Sequence, residues 1–158
     1  MNSKEQLIQQ RLQTSIQKCN LHLQRLRYAS NQLAGFFPLT VDRYNAVSEE
    51  TIGNIDQMVF RFTKLQDEIG NNTFRFLLEF LQEDIINKPF RDILNILERL
   101  EIIDSADIWL KIREIRNDLT HEYPLMLDET IEKLNHLYNQ IPFLVHILVT
   151  IEQQTQQS

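Results

Sequence analysis

The chain begins with a long amphipathic segment at residues 3–34, which read SKEQLIQQRLQTSIQKCNLHLQRLRYASNQLA. Apolar side chains recur there every three or four residues, as they do along one face of an α-helix. The members of this row are Ile8, Leu12, Ile16, Cys19, Leu23, Leu26 and Leu33, with Ser30 in the remaining slot. Gly35 and Pro38 follow, and this pair is typical of the end of a helix. The segment therefore predicts one long first helix.

Helical spacing continues through the rest of the chain. We expect a loop at about 36–47 and then five further helices. Their expected ranges are 48–69, closed by Gly70-Asn71-Asn72; 73–86; 89–102; 106–122; and 128–154, with a kink at Pro142. The 158 residues include only three glycines and four prolines, which favours long helices over a sheet. The sequence predicts an all-α, up-and-down bundle of about five to six helices, forming a single domain over 1–158 with a frayed Gln-rich tail at about 153–158.

The distribution of charge narrows the possible functions. The net charge of −6 argues against a general nucleic-acid coat protein. Residues 1–30 nevertheless hold five cations and one acid, a balance of +4 that leaves −10 on the remainder. A basic first helix beside an acidic body could guide RNA or dock an acidic partner, or it could be only a solvated polar face.

Cysteine use and hydropathy predict a soluble, cytoplasmic protein. Cys19 is the single cysteine, which excludes an intramolecular disulfide and a cysteine-based zinc cluster and fits a reducing compartment. Residues 1–6 lack the apolar core of a signal peptide. The longest apolar run, 141–151, contains Pro142 and His146 and is too short to span a bilayer. We expect no membrane, metal or cofactor.

The fifth predicted helix, 106–122, carries the residues best suited to chemistry. At about 100° per residue, its apolar stripe consists of Ile108, Ile112, Ile115 and Leu119. Arg116 lies on one flank of that stripe and His121 about 140° further round, so the two do not converge within one helix. Two copies about a two-fold axis could bring them together, with outward-facing Leu110 and flanking Trp109 in the interface.

Arg116 and His121 offer the chemistry of metal-independent RNA cleavage. The planar guanidinium suits a phosphate. His121, at a helix C-terminus with Asp118 one turn back, is favoured as an imidazolium and is poised for proton transfer. Attack by a 2′-OH requires such a base, with cationic donors at the phosphate. The alternative is that these residues form only surface ion pairs and a helix cap, worth under about 1 kcal/mol each.

Residues 110–124 resemble the motif helix of the HEPN superfamily. Arg116-Asn117-Asp118-Leu119-Thr120-His121 is similar to its R-x4-6-H motif, and Tyr123 extends it to the R-x4-H-x-Y version of HepT-like toxins. The resemblance implies a homodimer with a cleft built from both subunits and a metal-independent endoribonuclease activity. Arg116 and His121 would be catalytic, and Asn117 and Asp118 would support them.

The resemblance also implies a partner and a mode of control. In type VII-like HEPN–MNT toxin–antitoxin pairs, a minimal nucleotidyltransferase silences the toxin by attaching AMP to the tyrosine that matches Tyr123. An adenylate there would add negative charge and bulk where the RNA phosphate must sit. Two other readings stay open. The chain could be a non-catalytic HEPN subunit that binds substrate for a nucleotidyltransferase, or a plain helical interaction protein. The acidic composition and the long N-terminal arm, 1–45, depart from a minimal toxin.

Overall fold

The fold is given by a computed structural model that describes residues 2–121 and 127–156, with His121 described by its backbone only. The elements are α1 (Ser3–Gln32), α2 (Val41–Ala46), α3 (Glu49–Glu68), a π-helical turn (Ile69–Thr73), α4 (Phe74–Phe80), α5 (Phe90–Arg99), α6 (Ala106–His121), α7 (Leu127–Asn139) and α8 (Ile141–Gln156). The described residues form no strand. The prediction of an all-α bundle is confirmed.

Helix α1 forms where the sequence predicts it. Asn2 Oδ1 accepts a hydrogen bond from Glu5 N at 2.8 Å, and Glu5 Oε2 accepts one from Asn2 N at 3.1 Å, which together make a capping box. One face of α1 is buried against α3 and α4, and α8 packs against it as well. The buried residues are Leu12, Ser15, Ile16, Cys19, Leu23, Leu26 and Ala29.

The expected helix end at Gly70-Asn71-Asn72 is wrong. The chain passes from α3 through the π-helical turn directly into α4. A Cβ atom at Gly70 would lie 3.1 Å from Trp109 Cζ2, so glycine here admits an indole ring rather than stopping a helix. The helix ends instead at Phe80, earlier than the expected 86, because Gln82 adopts a left-handed φ of 63°.

A buried polar cluster joins α1 to the π-helical turn. Ser15 Oγ donates to Glu68 Oε2 at 2.6 Å and lies 2.7 Å from Thr73 Oγ1, which is in turn 3.3 Å from Cys19 Sγ. Burial raises the pKa of the Cys19 thiol to about 12, against a smaller lowering by its hydrogen bond to Thr73. Cys19 therefore stays a neutral thiol and packs as a small side chain.

The segment expected to be a loop, 36–47, contains the short helix α2. Thr40 starts this helix, because its Oγ1 accepts a hydrogen bond from Arg43 N at 3.1 Å. The preceding residues are fastened to α7. Leu39 N donates to Asn135 Oδ1 at 2.7 Å, and Asn135 Nδ2 donates to Leu39 O at 2.9 Å.

The C-terminal region forms two helices instead of the single bent helix expected from 128 to 154. Helix α7 ends at Asn139, and Pro142 lies in the first turn of α8, where its missing N–H has no cost. Helix α8 continues to Gln156, so most of the Gln-rich tail is helical. No helix among the described residues has both the length and the apolar character needed to cross a bilayer.

Candidate active site on helix α6

Helix α6 holds the residues singled out by the sequence. Ser105 Oγ accepts a hydrogen bond from Ile108 N, and Glu98 Oε1 accepts one from Ala106 N, each at 3.2 Å, so side chains from outside the helix satisfy its first N–H groups. The helix packs against α3, α5 and α7. Positions 116–121 form its C-terminal part.

The buried face of α6 is rotated from the predicted stripe. Trp109 is only 1% exposed, and its ring lies 4.8 Å from that of Phe74. Ile108, expected in the core, is 39% exposed. The space above Gly70 accepts the indole ring of Trp109. Burying this large ring stabilises the fold more than burying the smaller isoleucine side chain. The expectation that Trp109 flanks a subunit interface is therefore wrong.

Arg116 lies in the core as well, not on an open flank. It is 7% exposed. Its Nε donates to Gln66 Oε1 at 3.2 Å, and a terminal nitrogen donates to Asp67 Oδ1 at 2.5 Å. Gln66 is itself buried and donates from Nε2 to the Trp109 carbonyl at 3.2 Å. These bonds tie α6 to α3 and hold the guanidinium plane in one orientation.

The charge of Arg116 is partly compensated. Burial lowers the pKa of its guanidinium, and the Asp67 carboxylate opposes that shift. A guanidinium remains protonated even so. The Asp67 side chain is 42% exposed, so it can turn towards solvent if a phosphate takes its place. The pocket between Arg116, Asp67 and Arg113 has a volume of about 10 Å³, enough for about one water molecule. A pocket of this volume is too small to hold an RNA phosphate.

The remaining motif residues point in several directions. Asp118 Oδ2 is paired with Lys133 Nζ of α7 at 3.1 Å, and the Asn117 carbonyl accepts a hydrogen bond from Thr120 Oγ1 at 3.2 Å. Position 121 is the last of α6 and lies about 140° around the helix axis from Arg116. Tyr123, the expected site of modification, lies outside the described residues.

Sequence analysis missed the two side chains that hold Arg116. Gln66 lies four residues after Phe62 and directly after Leu65, within the apolar row of α3. A polar residue in such a row needs a buried hydrogen-bond partner, so Gln66 could have been recognised as part of a polar contact. Asp67 carries no comparable signal, because an acid beside the core row is ordinarily solvated.

Comparison with known proteins does not identify a relative that shares this geometry. The site consists of one buried, oriented arginine, with Asn117 and Asp118 beside it, at the end of an internal helix. No family model matches the sequence, and no curated protein or solved structure matches it significantly.

Proposed function

We propose that this protein is a homodimeric, metal-independent endoribonuclease of the HEPN type, acting as a HepT-like toxin in the cytoplasm. The observation that carries the proposal is the arrangement of positions 116–121, which occupy one uninterrupted helix in an all-helical protein. At the start of that stretch, Gln66 and Asp67 orient the guanidinium of Arg116. Oriented N–H donors are what a phosphate undergoing substitution requires.

The reaction divides between two subunits. His121 of the partner subunit takes the proton of an RNA 2′-OH, and the 2′ oxygen forms a bond to phosphorus. The bond from phosphorus to the 5′ oxygen breaks, and the departing oxygen takes up a proton. Arg116 donates to the non-bridging oxygens after Asp67 turns into solvent, and so stabilises the charge that develops on the phosphate.

Control of the activity is assigned to Tyr123. It lies two positions after His121 in sequence, so an adenylate on its hydroxyl would bring negative charge close to the cleft. The partner is a minimal nucleotidyltransferase antitoxin. Incubation with this enzyme and ATP should add the mass of AMP to the wild type and not to Tyr123→Phe. The same increment on Tyr123→Phe would rule out this assignment.

The test of catalysis begins with RNA cleavage in EDTA by the wild type and by His121→Ala. Arg116→Ala is a poor variant for this test, because it should also destabilise the fold. Loss of the buried guanidinium leaves Gln66 Oε1 without its donor and Asp67 without its cation, at a cost of about 1–3 kcal/mol. Arg116→Lys keeps the charge and removes only the planar fork.

Mixing the two variants tests the composite cleft. His121→Ala and Arg116→Lys should each be inactive alone, because each lacks one member of every site. After subunit exchange, a mixed dimer contains one site with both native residues, so about a quarter of the wild-type activity should return. Cleavage by His121→Ala at the wild-type rate would show that His121 is not the base. If the inactive variants did not restore activity when mixed, the active site would not be shared between subunits.

A non-catalytic HEPN subunit that binds substrate for a nucleotidyltransferase is the second candidate. The burial of Arg116 at 7% exposure and its pairing with Asp67 favour it, since an arginine engaged in this way stabilises the fold whether or not it meets RNA. Wild-type protein that forms a stable complex with the nucleotidyltransferase and leaves RNA uncut would establish this second function.

A further inference from the structure

The exposed side of α1 carries cations at a regular interval. Lys4, Arg11, Lys18 and Arg25 are spaced seven residues apart, and all four are exposed. Seven residues advance a helix by about 10.5 Å, so the row extends over about 32 Å. Each step of seven falls about 20° short of two full turns, so the row winds slowly around α1.

Helix α3 widens this row into a face. His22 lies between Lys18 and Arg25 on α1, and its Nδ1 is 3.1 Å from a terminal nitrogen of Arg61. Lys64 is close enough to contribute to the lowered pKa of the His22 imidazole, which burial lowers most. We call Lys4, Arg11, Lys18 and Arg25 of α1, together with Arg61 and Lys64 of α3, the basic face.

Within residues 2–121 and 127–156, the cations of the basic face form no ion pair with an acid. The ion pairs found among the described residues involve Arg91, Arg99, Lys111, Arg116 and Lys133, none of which belongs to it. Glu68, the acid whose charge acts on His22, accepts hydrogen bonds from Ser15 and Asn72. The buried Nε of Arg61 makes no hydrogen bond within the described structure. The face thus presents concentrated positive charge on an acidic protein.

Polar amides and aromatic rings accompany the cations. Gln10, Gln17, Gln24 and Asn31 form a second exposed row with the same interval of seven. Tyr28 is 64% exposed and lines an open groove of about 640 Å³ together with Arg25 and Gln24. A second groove, of about 350 Å³, lies beside Arg11 and Lys18. Exposed Phe60 lies beneath the cations of Arg61 and Lys64.

We propose that the basic face binds a single strand of RNA through its phosphate backbone, with the two grooves receiving bases. Phosphates of a stacked strand advance by about 3.4 Å each, so cations about 10.5 Å apart would meet every third one. Amide side chains can bond phosphate and the 2′-OH, and an exposed tyrosine can stack on a base. The choice of RNA over DNA rests on the proposed function.

Other polyanions fit the face less well. A membrane surface would favour a broad apolar face opposite the cations, whereas glutamine and asparagine are the most frequent residues on the exposed side of α1. An acidic peptide has no fixed charge interval to match a repeat of seven residues. A polynucleotide has one charge for every residue along its backbone, so it can meet each cation in turn.

The test is binding of 2′-O-methylated RNA of about 20 nucleotides, followed by fluorescence anisotropy over a range of salt concentrations. This RNA cannot be cleaved by 2′-OH attack, so the outcome is independent of the proposed catalysis. Lys18→Gln/Arg25→Gln should weaken binding by about tenfold or more, and should make the slope of log K against log salt shallower by about 1.4, since each contact with a single strand contributes about 0.7.

The matched control is Arg91→Gln/Arg99→Gln. It removes the same charge from exposed arginines that already pair with Asp107 and Glu83, at 3.0 and 3.6 Å, so it should change the slope little. Arg11→Gln/Lys64→Gln repeats the test on the same face if the first variant does not fold. Circular dichroism establishes that each variant is helical.

Several results would overturn the inference. Equal losses for the two double variants would show an effect of net charge alone. Tighter binding of DNA with the same sequence would assign the face to DNA. Displacement of the RNA by polyglutamate of equal charge would assign it to an acidic protein. Binding to phosphatidylserine vesicles without binding to RNA would assign it to a membrane. RNA binding without any RNA cleavage would support this inference while contradicting the proposed function.

Discussion

Two glycines within helical segments should respond to the same substitution in opposite ways. At Gly70 a Cβ would lie 3.1 Å from Trp109 Cζ2 and 3.6 Å from Phe90 Cζ, both on rigid rings, whereas nothing lies within 4 Å of a Cβ at Gly53. Gly70→Ala should therefore lower the free energy of unfolding by about 1–3 kcal/mol. Gly53→Ala, at an exposed helical position in the second turn of α3, should raise it by roughly 0.5–1 kcal/mol. Urea denaturation measures both, and a stabilising Gly70→Ala would contradict the contact with Trp109.

His22 should make stability fall as the solution becomes acidic. Burial and the neighbouring cations Arg61 and Lys64 lower the pKa of its imidazole in the folded protein, while Glu68 acts in the opposite direction. Below about pH 6.5 the unfolded chain therefore binds a proton that the folded protein resists, and stability is lost until the lower folded pKa is passed. His22→Asn keeps an acceptor for Arg61 without titrating, so its melting temperature should fall less between pH 7 and pH 5. An equal fall in melting temperature for the wild type and His22→Asn would show that His22 does not contribute to the pH dependence.

The burial of single residues on α6 could be predicted from the sequence only in part. Apolar spacing correctly predicted that one stripe of this helix is buried. It wrongly assigned Ile108 to the core, and Trp109 and Arg116 to the flank of the stripe. A helical wheel ranks positions by angle alone. The decisive facts were the absence of a side chain at Gly70 and the presence of Gln66 and Asp67 on another helix, contacts that are remote in sequence.

The segment before α2 should depend on one amide side chain of α7. Asn135 bonds both the N–H and the C=O of Leu39, at 2.7 and 2.9 Å, as a neighbouring strand would. Asn135→Ala leaves these backbone groups without their partner, and it should increase amide hydrogen exchange at Leu39 while leaving α1 protected. Asn139→Ala, a change at an exposed position of the same helix, is the control. Unchanged exchange at Leu39 in Asn135→Ala would show that other contacts hold the segment.

Whole elements were easier to predict than their ends. Helices α1, α3, α5 and α6 follow from apolar spacing. The end expected at Gly70 was wrong, because a glycine in a packed helix and a glycine after a helix look alike in sequence. The end expected at 86 was wrong because the left-handed φ of Gln82 stops α4 at Phe80. The division between α7 and α8 was read as a kink, since Pro142 is compatible with either.

The assembly of the molecule should depend on the exposed side of α6. Ile108 is 39% exposed, so with Trp109 in the core Ile108 is the apolar side chain that this side of α6 offers to a second copy. Light scattering at micromolar concentration should report a dimer for the wild type. Ile108→Glu should shift it towards monomer, because a buried, unpaired carboxylate is costly. Ile86→Glu, at a residue 79% exposed elsewhere on the surface, should remain dimeric. A monomeric wild type would contradict an active site shared between two subunits.

The π-helical turn has a consequence for the length of the chain itself. The buried apolar row of α3 advances by three or four residues as far as Ile69, and the next large buried side chain, Phe74, comes five residues later. In a regular helix, a step of five would turn Phe74 about 140° away from Ile69. The turn thus stores one surplus residue and keeps the two halves in phase. Deleting exposed Asn71 should therefore leave a folded protein with one straight helix. Deleting exposed Asp56 should instead turn the buried residues before and after it onto different faces of α3 and so unfold the protein. Circular dichroism would show the difference.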